Sequence, residues 1–230
     1  MSESQATPIL VHHLSVSRSQ TILWLLEELE VPYKVEFHQR TPEMQAPKEL
    51  RAVHPIGRSP VIVDGDVTLA ESGAVIEYII KKYGNGKATP PKDGELIDLY
   101  FRHFAEGTFM PLLGNRFIYS IVPQKAPFFL RPLLRSVFSN LDSRLIERPM
   151  KATLDYTESV LAKSGGWFAG GEEPTAADFA MSFGLDLMSV KAPDSVGPAI
   201  KAWVARIHER PAYKRVSFCA VSIRAINAKL

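Results

Sequence analysis

Two clusters of residues carry the chemistry open to this chain. The segment from Gly57 to Ile80, GRSPVIVDGDVTLAESGAVIEYII, has a short apolar run (Val61, Ile62, Val63), an Asp64-Gly65-Asp66 turn and a second run from Val67 to Ala70. Glu71-Ser72 then opens a helix, so the segment reads as hairpin followed by helix. Pro60 opens the first run; with no N–H of its own, it leaves neighbouring backbone groups available to a guest peptide. Ser72 reads as the helix cap, and the free N–H groups and positive dipole end behind it suit a small carboxylate. The segment is suited to hold a small acidic peptide. The second cluster is Ser15, Ser17 and Ser19, where the first strand feeds the first helix. Read alone, hydroxyls at that place are helix N-caps.

The elements around these clusters divide the chain in two. Pro8 to His12 forms a short apolar strand, and Ile22, Leu25, Leu26 and Leu29 recur at helical spacing. Val31-Pro32 ends that helix, and Tyr33, Val35 and Phe37 alternate as a half-buried strand, which makes a βαβ unit with a right-handed crossover. Residues 40–56 are interrupted by proline and read as a loop with a short helix. Tyr83-Gly84-Asn85-Gly86 stops the helix that begins at Ser72. After a Gly, Pro, Lys and Asp stretch, strand alternation disappears: Leu96, Leu99, Tyr100, His103 and Phe104 keep helical spacing, as do Met150, Leu154, Thr157 and Leu161. Thr175 and Asp178 form a capping box at a later helix start, which makes Asp178 structural rather than catalytic. No internal repeat is seen.

Composition removes several classes of function. The 230 residues include 27 basic and 25 acidic side chains, interspersed, for a formal charge of +2, so there is no electrostatic footprint for nucleic acid. Cys219, the single cysteine, excludes an intramolecular disulfide and a CxxC pair, and a small buried hydrophobe is its expected role. The opening MSESQATPILV does not read as a signal peptide, no apolar run reaches transmembrane length, and a reducing cytoplasm is the expected compartment. His12 and His13 suggest metal at first sight, but adjacent strand residues point to opposite faces and cannot readily chelate together, so no metal is assigned.

With these elements in order, the chain resembles the cytosolic glutathione transferases, most closely fungal GTT-type members and bacterial beta-like and theta-like relatives. The resemblance runs through HHLSVSRSQTILWLLEELEVPYKV, HPIGRSPV, LAESGAVIEY, PTAADFAM and AWVARIHERPAYKR. It implies an α/β N-terminal thioredoxin-like domain (residues 1–86), a linker (87–95) and an all-α C-terminal helical bundle domain (96–230). The first would bind glutathione as co-substrate, the second would supply a pocket for a hydrophobic electrophile, and the protein would be a homodimer. The chemistry implied is thiol activation, in which a hydroxyl aimed at the sulfur from the positive end of a helix favours the thiolate. Family position favours Ser17, with Arg18 beside it; Ser15 stays open as the donor. The first tyrosine is Tyr33 and the N-terminal domain has no cysteine, so the chain looks like a serine-type enzyme.

By the same resemblance Ser72 takes the γ-glutamyl carboxylate and Glu71 the ammonium group, while Ser59 offers its backbone N–H and C=O to the cysteinyl part. Pro60 is expected to be cis. Arg58 lies near the glycine carboxylate, and Gln45 and His54 carry less signal. Val16, Phe109, Met110, Phe117 and Tyr119 are expected around the electrophile. Detoxification and stress response, with conjugation or hydroperoxide reduction as the reaction, follow from the family. The alternative is a carrier or regulator that binds glutathione and hydrophobic ligands without turnover, because one fold hosts both. The segment APFFLRPLLRSVF, apolar and basic, admits contact with a membrane surface, and helix packing with dimer contact is the expectation preferred for it.

Overall fold

The computed structural model describes residues 7–41 and 45–219. Four strands, β1 (Ile9–Leu14), β2 (Tyr33–His38), β3 (Val61–Asp64) and β4 (Val67–Ala70), form one mixed sheet in the order β2-β1-β3-β4. β1 runs parallel to β2, through the crossover helix α1 (Ser19–Glu28), and antiparallel to β3. This is the thioredoxin-like arrangement that the resemblance implies, where the alternation patterns alone imply an α/β unit. The short α2 (Glu49–Val53) precedes β3, and α3 (Ser72–Tyr83) follows β4.

The hairpin closes through Gly65 and Asp66; Gly65 has φ +59°, and Asp64 pairs with Val67 across the turn. The buried Asp64 carboxylate then fastens the hairpin to α3. It accepts hydrogen bonds from Tyr78 (2.8 Å), Lys82 (2.7 Å) and Tyr83 (2.7 Å). Burial pushes this carboxyl up, but the three donors outweigh burial and hold it below the usual range.

The remainder is helical: α4 (Glu95–Phe104), α5 (Met110–Lys125), α6 (Arg131–Leu141), α7 (Arg148–Ser164), α8 (Ala176–Lys191), α9 (Pro198–Glu209) and α10 (Pro211–Cys219). α1 is buried on all sides from Ser19 to Leu26, the pattern of a helix sandwiched between two layers. One side meets the sheet and α3; the other meets α8 and α10. Trp24 packs on Phe179 with ring centroids 4.5 Å apart, Thr21 meets the Ser182 hydroxyl at 3.0 Å, and Gln20 donates to the Tyr213 oxygen at 2.9 Å. The helix that begins beside the serine cluster is thus held from both sides.

α8 starts with the predicted capping box, and Asp178 does more than cap it. Its fully buried carboxylate accepts from the backbone N–H of Thr175 (2.9 Å) and Phe168 (3.1 Å) and from Trp203 Nε1 (2.8 Å). Burial still pushes this carboxyl up to about 6.

Two expectations differ from what is found. Ser72 is the first helical residue of α3 rather than its cap; the cap position belongs to Glu71, held at φ 71°, ψ 117°. Phe109, expected around the electrophile, is 1% exposed and packs against Gly184 of α8 in the core. The cause is a π-helical turn at Ala105–Phe109 between α4 and α5, which adds a residue to the turn and rotates the following face. The segment expected to serve helix packing and dimer contact packs α6 on α5, through Tyr119 and Phe138 among others, yet leaves much of its apolar surface exposed: no residue of α6 is buried, and Phe128 is 79% exposed. No helix among the described residues is long and apolar enough to cross a membrane. The expectation for the Cys219 side chain falls outside the described residues.

Asp178→Ala removes the acceptor of three buried N–H groups, and each one left unsatisfied costs about 1–3 kcal/mol. Urea unfolding should show a loss of at least about 3 kcal/mol with the m value unchanged, and Asp178→Asn should lose less. An unshifted midpoint for the alanine variant would contradict this account of the cap.

Candidate functional site

Sheet register gathers the two clusters named from sequence. His12 pairs with Val61, and Val61 pairs with Ala70, so these residues form one row across β1, β3 and β4. Just beyond that row come Leu14 to Ser17 on one side, Ser59-Pro60 in the middle and Glu71-Ser72 on the other. The Ser59-Pro60 bond is cis. Ser59 Oγ donates to the His12 carbonyl (2.9 Å) and accepts from the Leu14 N–H (3.2 Å), which clasps the segment before β3 to the end of β1.

Ser17 lies two residues before α1, buried, with its Oγ 3.5 Å from Ser59 Oγ. Its hydroxyl donates to the Leu14 carbonyl at 2.7 Å and lies 2.6 Å from Ser19 Oγ, which in turn lies 2.9 Å from His13 Nδ1. Proton counting orients this chain. Ser17 has one proton and directs it to Leu14, so it accepts from Ser19; Ser19 has then used its own proton and must accept from His13 Nδ1–H. The chain therefore runs His13 to Ser19 to Ser17, with every hydroxyl dipole pointing toward the Ser17 end. Burial lowers the His13 pKa to about 4, with a smaller push from His38, so the ring is neutral and can hold this tautomer.

Ser15 is engaged elsewhere. Its Oγ accepts from the Arg40 backbone N–H (3.3 Å), while the Arg40 guanidinium donates to the carbonyls of Ser15 and Val16 (both 3.1 Å). This brace supports Val16, whose φ is +49°. Arg40 was not named as a site residue from sequence, Ser19 was named only as a member of the serine cluster, and His13 was considered only as a metal ligand. An arginine in a proline-broken loop gives no local signal for such a role; the His13 to Ser19 contact follows only once α1 is laid on the sheet.

Ser72 Oγ is buried and has no hydrogen-bond partner among the described residues. The exposed Glu71 before it holds positive φ, a conformation rare for a residue with a Cβ. Arg18, in contrast, forms an ion pair with Glu106 of the π-helical turn, so its guanidinium ties the serine cluster to the helical domain. Arg58 is exposed, and His54 Nδ1 is buried without a partner among the described residues. Gln45 is exposed in the loop before α2. Met110 packs at the edge of the core, Phe117 is exposed on α5, and the Tyr119 ring lies 5.6 Å from that of Phe138 on α6. Tyr119 thus faces α6, and neither it nor Phe117 has a contact with the serine cluster among the described residues.

Comparison with known proteins agrees with this architecture. The family models described as "Glutathione S-transferase, N-terminal domain" and "Glutathione S-transferase, C-terminal domain" match residues 6–81 and 135–215. Glutathione S-transferase 3 of Schizosaccharomyces pombe is 34% identical over 211 residues, covering 89% of this chain and 84% of that protein. Glutathione S-transferase 1 of Saccharomyces cerevisiae is 30% identical over 217 residues, covering 89% and 92%. In fold, the chain is similar to Ure2p5 of Phanerochaete chrysosporium, cocrystallised with 1-(S-glutathionyl)-2,4-dinitrobenzene: TM-score 0.71, 18% identity, 96% and 98% of the two chains. The chain belongs to the glutathione S-transferase family, with fungal enzymes among its relatives.

The neutral, buried His13 makes a pH prediction. Its folded pKa lies below the unfolded value of 6.5, so the unfolded chain binds the proton more readily between about pH 6.5 and 4, and stability falls as pH drops through that window. The full effect is roughly 3 kcal/mol. His13→Gln keeps a donor toward Ser19 and removes the titration, so its stability should fall less steeply over that range. Parallel pH profiles for the two proteins would contradict the assignment.

Proposed function

We propose that the protein is a serine-type glutathione transferase in which Ser17 holds the glutathione sulfur as the thiolate. The observation that carries the reading is the buried Ser72 hydroxyl at the start of α3, without a hydrogen-bond partner among the described residues and set beyond the β4 end of the sheet row whose β1 end leads to Ser17. An unsatisfied buried hydroxyl costs about 1–3 kcal/mol, a penalty that a ligand carboxylate would remove. Strands about 4.8 Å apart place β1 and β4 about 10 Å from each other, the reach of an extended tripeptide.

In this reading the γ-glutamyl carboxylate sits on Ser72 Oγ and the free N–H groups of α3, and Glu71 pairs with the ammonium group. The strained backbone at Glu71 sets that carboxylate out into solvent. The cysteinyl backbone lies against Ser59-Pro60, and Arg58 faces the glycine carboxylate. Arg18 has a positioning role, since Glu106 already holds it.

A free thiol of pKa about 8.5 is only a few per cent ionised near neutrality. When sulfur arrives, the Ser17 proton swings from the Leu14 carbonyl to the sulfur, and the His13 and Ser19 dipoles behind it strengthen that bond. A hydrogen bond to a charged group contributes about 1.5–3 kcal/mol, enough to lower the thiol pKa by one unit or more. The thiol proton leaves to solvent. The thiolate then attacks an electrophilic carbon, a C–S bond forms, and the leaving group departs with the electron pair of the bond it breaks. With a hydroperoxide the thiolate attacks the terminal oxygen instead, the O–O bond breaks and the alkoxide leaves to take up a proton; the sulfenic acid so formed on glutathione condenses with a second glutathione to the disulfide and water, and this second activity is part of the proposal.

Val16, next to Ser17 in the chain, and Met110, packed at the edge of the core, are assigned to the electrophile side. A homodimer fits the exposed apolar face of α4, where Leu96, Leu99 and Tyr100 reach solvent. A reducing cytoplasm and a role in detoxification and stress response suit an enzyme that consumes glutathione.

Ser17→Ala should raise the pKa of the bound thiol by about one unit, read as thiolate absorbance, and lower turnover of chlorodinitrobenzene near neutrality by roughly tenfold. Raising the pH should restore part of that loss. The same effects from Ser15→Ala, with none from Ser17→Ala, would overturn the assignment. Ser72→Ala should raise KM for glutathione by roughly tenfold or more and leave kcat nearly intact, because it removes a contact to a non-reacting carboxylate. An unchanged KM would remove Ser72 from the binding site. Glutathione binding with no turnover across carbon electrophiles and hydroperoxides would favour the carrier.

A further inference from the structure

The face of the sheet opposite His13 carries a group of side chains that the transfer chemistry does not use. Parallel pairing sets His12 beside Glu36 and Leu14 beside His38, and partners in register share a face. His12, Glu36 and His38 therefore converge. His12 Nδ1 lies 3.0 Å from His38 Nε2, 3.6 Å from one Glu36 oxygen, and the other Glu36 oxygen lies 3.8 Å from His38 Nε2. One ligand atom from each residue fits within 4.8 Å of the others.

We propose that His12, His38 and Glu36 form an accessory binding site for a divalent transition-metal cation, with Zn(II) as the ion the donor set suits best. Two imidazoles and a carboxylate are a familiar zinc donor set, and bonds of about 2.0–2.2 Å put tetrahedral ligand atoms about 3.3–3.5 Å apart. The observed separations bracket that edge, so a small rotation of the Glu36 side chain completes three corners. Glu36 can make it, because its side chain is 53% exposed while both histidines are buried. The same opening gives the ion its entry path and leaves the fourth position to water.

The competing account is a plain hydrogen bond between the two rings with Glu36 as a solvent-facing cap. The two accounts differ in stoichiometry. The site adds no step to glutathione transfer, but it shares β1 with it: the His12 carbonyl accepts from Ser59 Oγ, so a cation here would brace the strand end that supports the serine cluster.

The test uses the untagged full chain, stripped with a chelator and titrated with Zn(II) by calorimetry and with Co(II) by visible absorption. The expected result is one ion per chain, the intense d–d bands of a tetrahedral Co(II) site, and a higher Tm with Zn(II) present. Glu36→Ala, at a half-exposed position that leaves the core intact, should weaken binding by at least about tenfold and keep turnover of glutathione. His38→Gln, checked for folding by circular dichroism, should abolish the Co(II) bands. A titration with no saturable one-per-chain isotherm would overturn the proposal, as would an isotherm that Glu36→Ala leaves unchanged or a pale octahedral Co(II) spectrum.

Discussion

The Ser59 hydroxyl, bonded both to the His12 carbonyl and to the Leu14 N–H, is the constraint on which the site depends. It joins two pieces of chain more than forty residues apart at the point where β1 ends and β3 begins. Without that clasp, the row through His12, Val61 and Ala70 would still pair, but the loops beyond it would be free to part. With it, the hydroxyl of Ser17 and the backbone around Pro60 share one edge, and β4 delivers Glu71 and Ser72 to the same edge.

Rigidity at that edge comes from both sides. Asp64 locks the hairpin to α3, so the free helix end at Ser72 cannot drift from the strands. α1 is pinned by Trp24 on Phe179, by Thr21 on Ser182 and by Gln20 on Tyr213, and Arg18 adds an ion pair to Glu106. Asp178 organises the helix on which much of this rests. A hydroxyl that must favour an anion is effective only when its dipole is already aimed, since reorientation at the moment of reaction would consume much of the gain. The relay from His13 through Ser19 holds the Ser17 oxygen as an acceptor, so its one proton turns from the Leu14 carbonyl to the sulfur when glutathione binds and is aimed before the attack.

Most of the scaffold was legible in the sequence because it rests on local signals. The alternation around Asp64-Gly65-Asp66 marks a hairpin, and Thr175 with Asp178 marks a helix start, whatever the distant parts of the chain do. What escaped depends on register or on irregular backbone. The spacing of His12 and His13 rightly denies them a common ion, yet says nothing of Glu36 and His38, which reach His12 only through parallel pairing with β2. Phe109 follows helical spacing in sequence and is turned inward by a π-helical turn that no periodicity reveals. Ser72 reads as a cap because serine prefers that place; with positive φ at Glu71 the helix starts one residue later, and the Ser72 hydroxyl has no hydrogen-bond partner among the described residues.

A crystal structure of the protein with reduced glutathione tests the central claim most directly. The account predicts the sulfur within hydrogen-bonding range of Ser17 Oγ and the γ-glutamyl carboxylate on Ser72 Oγ, with the peptide crossing the ends of β1, β3 and β4. A sulfur held by Ser15 or by no serine, or a carboxylate seated away from α3, would contradict it.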